Sequence, residues 1–226
     1  MPFITTGEIH GQGLTGASAQ IISNNLPLYT YYMYEFRGYD SLGNSIYSDA
    51  NGNDAGLGAA SKKILDKQPL PKMNLGFNTN VTYKSFDAGV SFYGAFGHYI
   101  YNNTANALFF KGAYPVRNIP SSVVNSSQNS SDPNSPSTKY LEKGDFLRMG
   151  NLTFGYTFKG GMFEKAHIKS ARFFVNGQNL LLFTKYTGFD PEVDVNKSIN
   201  GIPSAGIDYL AYPKSKTVSI GLNLNL

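Results

Sequence analysis

Few of the 226 residues could do chemistry on a substrate. Cysteine is absent, which excludes a thiol nucleophile, a cysteine-ligated zinc site and a disulfide scaffold. His10, His98 and His167 stand apart, and none is followed at metal-ligand or triad spacing by a partner. Asp190-Pro191-Glu192 presents two carboxylates, but a glycosidase pair needs a shaped cleft around it. The plainer reading is a turn stiffened by Pro191, its carboxylates facing water or a neighbouring loop. Asp49, Asn51 and Asn53 alternate like the first half of a calcium loop, yet Gly52 comes too early and Ala60 stands where a bidentate glutamate belongs. A polar turn accounts for them. The glycines of 11–16 lack the strand-to-helix setting of a phosphate loop. These residues predict a protein that is not an enzyme and uses no metal or cofactor.

What remains is contact chemistry. Tyr99, Tyr101, Phe109, Phe110, Tyr114, Tyr186, Phe189, Tyr209 and Tyr212 all fall in long connecting segments. Such rings stack on sugars, meet a partner protein, or hold the loops together. Packing is the favoured reading. Tyr99, Tyr101, Tyr114, Tyr186, Phe189, Asp190, Glu192, Tyr209 and Tyr212 are the candidate loop or partner contacts.

These side chains need elements to position them, and the clearest is a hairpin over 72–97. Met73, Leu75, Phe77, Val81 and Tyr83 alternate with Asn74, Gly76, Asn78, Asn80 and Thr82. After a turn at Lys84 and Ser85 the alternation resumes, with Phe86, Ala88, Val90, Phe92, Gly94 and Phe96 on one face. A period of two across a tight turn predicts an antiparallel β-hairpin. Each run is about 12 residues, longer than the ~5–6 of ordinary strands and close to the ~9–11 that cross a bilayer at a tilt. One apolar face and one weakly charged polar face fit an outer-membrane barrel, with lipid on one side and a wet lumen on the other. They also fit a sandwich or small barrel closed on its own core.

Composition bounds the choice. Charged residues are 15%, against an average of about 25%, while Gly (24), Tyr (16) and Phe (16) are abundant. The net charge of +4 is scattered, which gives nucleic-acid binding no support. No apolar run is long enough for a transmembrane helix. Residues 1–16 lack the basic and apolar segments of a signal peptide.

In order, the chain reads as turns with at most one poor strand over 1–26, then strands over 28–37, 72–84, 86–97, 146–158, 171–183 and 216–226. The 28–37 strand has aromatics on both faces, as at a membrane interface. The Ser/Asn/Pro tract 121–137 predicts an exposed, mobile loop, because it cannot bury enough apolar surface. Connections alternate between long (38–71, 98–145, 184–215) and short (84–85, 159–170). Long loops therefore gather at one end of the sheet, which favours the membrane reading.

The last third carries a resemblance. The runs YLEKGDFLRMGNLTFGYTF from Tyr140, RFFVNGQN from Arg172 and KYTGFDPEV from Lys185, then Tyr212-Pro213 before a terminal alternating strand, closely resemble the carboxyl-terminal signature of the SusC/RagA family of TonB-linked outer-membrane transporters. Earlier segments agree, from about Leu26 onward. The resemblance implies an all-β fold: an antiparallel up-and-down transmembrane β-barrel segment, about six strands of a barrel of about 22, with long extracellular loops. It implies the carboxyl-terminal part of the barrel over 1–226, with plug domain and signal peptide absent. It further implies import of oligosaccharides or peptides with a SusD-like surface lipoprotein, TonB acting through missing amino-terminal regions, and a place in the outer membrane of a Bacteroidetes-type cell, in contact with lipid. Leu226 departs from the family's usual terminal aromatic. The alternative is a small self-contained β-barrel or sandwich with a structural or ligand-binding role.

Overall fold

A computed structural model describes residues 3–11, 14–159, 167–195 and 197–225, without the side chains of 7–11 and 14–18. The chain divides into two compact units. One, the sheet unit, holds Lys72–Phe96, Asp145–Lys185 and Pro213–Leu226; the other, the loop unit, holds Met1–Pro71, Gly97–Gly144 and Tyr186–Tyr212.

The sheet unit is a six-stranded antiparallel sheet made of β1 (Met73–Tyr83), β2 (Phe86–Phe96), β3 (Phe146–Lys159), β4 (Ser170–Gln178), β5 (Leu182–Thr184) and β6 (Thr217–Asn225). The order is β6-β4-β3-β2-β1, and β5 pairs the first residues of β3. Register sets the faces. Phe77 lies opposite Phe92, Val81 opposite Ala88, Phe154 opposite both Ala88 and Val175, and Val175 opposite Ile220. Directly opposed residues share a face, so these apolar rows run unbroken from β1 to β6. The other face is polar, with Asn78, Ser91, Asn151, Gln178 and Thr217 in a single row. A bulge at Gly150 explains why the alternation of β3 is clean only from Asn151: the register shifts between Met149 and Asn151.

Strand ends confirm the loop asymmetry. The first residues of β1, β3 and β6 and the last of β2 and β4 share one end of the sheet, where every long connection leaves. The turn at Lys84 and Ser85 closes the opposite end, with Lys84 in the left-handed region at φ 57°. The turn expected over 159–170 falls partly on 160–166, outside the described residues, as does Leu226.

Three expectations need correction. Residues 171–183 are not one strand: Asn179, at φ 55°, turns the chain, its N–H bonds Gly150 O, and β5 starts afresh at Leu182. Residues 28–37 supply no strand of the large sheet. They split into Thr30–Tyr34 and Phe36–Tyr39, in separate sheets of the loop unit, with Tyr31 and Met33 fully buried. Aromatics on both faces of this run suit a strand covered by protein on both sides. Residues 1–26 hold two paired strands, Phe3–Gly11 and Leu14–Ser23, where the sequence predicts turns with at most one poor strand. The Gly and Ser residues there conceal an alternation too weak to read.

The loop unit packs these strands with Lys62–Ile64, places Tyr99–Asn102 between Leu141–Lys143 and Ile207–Asp208, and adds a short helix, Asn103–Leu108. Its core joins Ala19, Tyr31, Met33, Tyr101, Tyr140, Leu141 and Ile207, so segments expected to be loops form a core of their own.

Candidate functional site

On the apolar face of the sheet, the side chains that should seek cover are left open. Val81 is 61% exposed, Phe154 59%, Ile220 70% and Leu222 59%. A contiguous face of this kind marks a surface meant for another apolar phase or partner. Aromatics gather at the short-turn end: Tyr83, Phe86, Tyr156, Phe158 and Phe173 are close in register, with Tyr156 edge-on to both Phe86 and Phe158 at 4.7 Å.

On the polar face, Arg172 of β4 reaches over β3 to Asp87 of β2, with Nε to Oδ1 at 2.9 Å and Nη2 to Oδ2 at 2.5 Å. The residue beneath is Gly155, where a Cβ would stand 2.6 Å from Nη2. Glycine is what lets the bidentate pair span two strands. The Arg172 guanidinium also lies 4.9 Å from the centre of the Phe174 ring, and that ring covers Gly221. Gly155→Val is expected to part the ion pair and to cost roughly 1–2 kcal/mol. Gly76→Val on the same face has open space before it and should stay within about 0.5 kcal/mol. Urea midpoints of the two variants in micelles test this, and equal midpoints would show that the glycine is not required.

In the loop unit, the tract 121–137 is held rather than free, which corrects its reading as a mobile loop. Gln128, Asp132, Asn134, Ser135 and Ser137 are buried. Asp132 accepts from Ser45 N at 2.9 Å, Ser45 Oγ at 2.8 Å and Gln128 Nε2 at 2.9 Å. Asn134 exchanges two hydrogen bonds with the Asn106 side chain and backbone and accepts from the Tyr140 hydroxyl. Gln128, Asp132, Asn134 and Ser45 satisfy one another here, so the tract packs with little apolar burial, although the Ser135 and Ser137 hydroxyls are buried without a hydrogen-bond partner.

Lys139 joins this network through Asn134 Oδ1 at 3.3 Å, and its ammonium lies 5.8, 5.4 and 4.9 Å from the ring centres of Phe36, Tyr39 and Tyr140. Burial pushes this amine down from 10.5 to about 8, against the opposing pull of Asp132. Between those values the folded state holds fewer protons than the unfolded, so stability rises as pH rises through the window. Melting followed by near-UV dichroism from below to above pH ~8 should show that rise, and Lys139→Met should remove it. An unchanged slope in the variant would reject the assignment.

A second polar cluster gathers the Tyr186 hydroxyl on Asp208 Oδ2 at 2.6 Å, Thr104 on Asp208 Oδ1 at 3.3 Å, and Thr187 and Asn102 on Glu142. Burial raises the Asp208 carboxyl, while the hydrogen bonds from Tyr186 and Thr104 oppose it. Burial and then the Asp208 carboxylate hold the Tyr186 hydroxyl protonated far above its usual range.

The candidate contacts therefore divide. Tyr101, Tyr186 and Asp190 are buried, at 0, 6 and 3% exposure, so these three pack within the loops. Asp190 Oδ1 accepts from Glu192 N at 2.9 Å, closing the turn that Pro191 stiffens. Tyr99 and Tyr209 are half-buried, under Lys67 and Lys197 at 5.1 and 4.0 Å. Glu192 is half-buried as well. Tyr114, Phe189 and Tyr212 stay exposed, at 61, 59 and 95%. Asp49 accepts from the backbone of Asn51 and Asn53, a polar turn as read. Asp132, Asn134, Lys139 and Asp208 escaped the reading, because no local pattern marks a polar residue whose partners are distant in sequence.

No model of a known protein family matches the chain. TonB-dependent receptor P3 of Formosa agariphila is 28% identical over 229 residues, covering 91% of this chain and 23% of that protein. TonB-dependent receptor SusC of Bacteroides thetaiotaomicron is 28% identical over 208 residues, covering 86% of this chain and 19% of that protein. The chain is similar in sequence to SusC-type TonB-dependent receptors. The RagAB peptide transporter structure shares the fold at a TM-score of 0.78 and 22% identity, over 93% of this chain and 24% of that one. The RagAB peptide importer in its "open-open" state gives 0.74 and 21%, over 94% and 24%. The chain spans about a quarter or less of its relatives' length, and its antiparallel sheet shares the fold of the RagAB structures.

Proposed function

We propose that this chain forms wall strands at the carboxyl-terminal end of the barrel of an outer-membrane nutrient importer. The sheet's apolar face meets lipid, its polar face lines the lumen, and the loop unit lies outside the cell. The observation that carries the reading is the five-strand apolar face, opposed by a polar one, with every long connection leaving from one end of the sheet. Membrane barrels have this arrangement because lipid, lumen and the two sides of the bilayer make different demands. The cargo is an oligosaccharide or peptide, TonB supplies the drive through regions beyond this chain, and a SusD-like lipoprotein meets the loop unit. Peptide import is what the RagAB structures are named for, and SusC is a named sequence relative.

The test is uptake. Deleting the gene should abolish energy-dependent uptake of the receptor's oligosaccharide or peptide, and the intact receptor should co-purify with a surface lipoprotein. Unchanged uptake and a receptor purified alone would overturn the proposal. The alternative of a small self-contained β-barrel or sandwich with a structural or ligand-binding role is disfavoured by the open apolar face.

A further inference from the structure

We infer that Asn200-Gly201 is a self-modifying site: the Gly201 backbone nitrogen attacks the Asn200 side-chain amide, and the tip of a loop hairpin exchanges that amide for a carboxylate. This chemistry is independent of what meets either face of the sheet.

Asn-Gly occurs three times in the chain, at Asn51-Gly52, Asn176-Gly177 and Asn200-Gly201. Glycine in second place favours ring closure, because no side chain shields the attacking nitrogen or stiffens the chain around it. The fold separates the three. In β4, Asn176 Oδ1 accepts from Thr153 Oγ1 at 2.9 Å, and Gly177 is buried, paired with Leu152 of β3 and Val218 of β6. That dipeptide must leave the sheet before it can react. At the polar turn, Gly52 N–H donates to Asp49 O at 3.3 Å and Asn51 N–H to Asp49 Oδ1 at 2.8 Å. The nucleophile there is engaged.

Asn200-Gly201 has neither restraint. Ile199 and Ile202 exchange backbone hydrogen bonds of 3.1 and 2.9 Å, and Lys197 N–H donates to Ser204 Oγ at 2.8 Å, so 197–204 is a hairpin with Asn200 and Gly201 as its two-residue tip. Their φ values, 51° and 79°, are those of a turn that favours Asn-Gly. In such a turn only the flanking residues bond across, which leaves the tip N–H groups facing outward. Both tip residues are exposed, and a Cβ on Gly201 would meet nothing within 4 Å. Among the described residues, nothing accepts from Gly201 N–H.

The step needs water alone. The Gly201 nitrogen forms a bond to Asn200 Cγ and gives its proton to water; the Cγ–Nδ2 bond breaks, and Nδ2 takes up a proton and leaves as ammonia. Water then opens the cyclic imide. Cleavage of the new N–Cγ bond leaves aspartate, and cleavage of the original peptide bond leaves isoaspartate, which routes the backbone through an extra methylene. That added atom parts Ile199 from Ile202, and with them the bonds that Ile202 O and Pro203 O accept from the buried Thr6 hydroxyl at 2.8 and 2.9 Å.

The experiment keeps the full-length protein that carries this chain folded in detergent micelles in mildly alkaline buffer, with a guanidinium-unfolded sample alongside, and follows both by peptide mass mapping. In the folded protein the amide-to-acid mass change should appear first at Asn200, about tenfold or more ahead of Asn51 and about a hundredfold ahead of Asn176, since those two must first open locally. Unfolding should bring the three rates within about threefold of one another, because the same dipeptide then reacts in the same solvent. Asn200→Gly keeps a residue at home at positive φ and should remove the change from that peptide while leaving Asn51 as it was. The wild-type ranking decides without the variant. A folded sample in which Asn51 or Asn176 leads, or in which Asn200 stays intact while guanidinium releases all three, would overturn the proposal.

Discussion

Phe92→Arg is expected to abolish assembly of the receptor into the outer membrane. Phe92 lies in the middle of β2, opposite Phe77 on one side and Met149 on the other, on the face that is apolar from β1 to β6. An arginine at the bilayer midplane of a barrel strand costs about 2–4 kcal/mol, and a folding sheet that presents it must either carry that cost or expose the surrounding rows to water. Val90→Arg, one register row away, should behave alike. Ser91→Arg is the control, since Ser91 faces Asn78 and Asn151 on the polar side and its substitution should leave assembly intact. Outer-membrane fractionation and heat-modifiable electrophoretic mobility read the result. Normal assembly of Phe92→Arg would reject the lipid-facing assignment.

The second large effect is expected in the loop unit. Asp132 is 5% exposed and accepts three hydrogen bonds, two from Ser45 and one from Gln128, joining segments that are 87 residues apart. Asp132→Leu leaves the buried Ser45 N–H and hydroxyl without acceptors, and leaves Gln128 Nε2 only its bond to Asn134 Oδ1. Each such group costs about 1–3 kcal/mol, so a loss of roughly 3–5 kcal/mol is expected. The tract 121–137 should then become protease-sensitive while the sheet still assembles, because none of Asp132's hydrogen bonds reaches the sheet unit. Asp132→Asn keeps one acceptor and should fall between. Proteolysis of intact cells, followed by mass mapping of the cuts, decides it: a tract as resistant as in the wild type would show that the network does not hold it.

How much of this was legible follows from the range of each interaction. The hairpin of β1 and β2 could be read residue by residue, because a strand facing lipid on one side and water on the other needs a period of two and little else. β6 was equally plain, with Val218, Ile220, Leu222 and Leu224 alternating against polar residues. The tyrosines of 30–34 were misplaced for a related reason. A strand buried on both faces carries no alternation, and apolar rings on both sides read as membrane interface until the loop unit is seen to enclose them.

Local pattern is enough to show which face of the sheet is apolar, at which end the long connections leave, and to which family the chain is similar. These depend on neighbours in the chain or on ordered motifs. Folding alone reveals that the long connections build a unit with its own core, that several polar residues of the Ser/Asn/Pro tract are buried, and that Arg172 reaches Asp87 across Gly155. The physical reason is common to all three. A polar side chain is at home in water or in a satisfied network, and composition is the same in both cases; what distinguishes them is a partner tens of residues away, brought near only when the chain has folded.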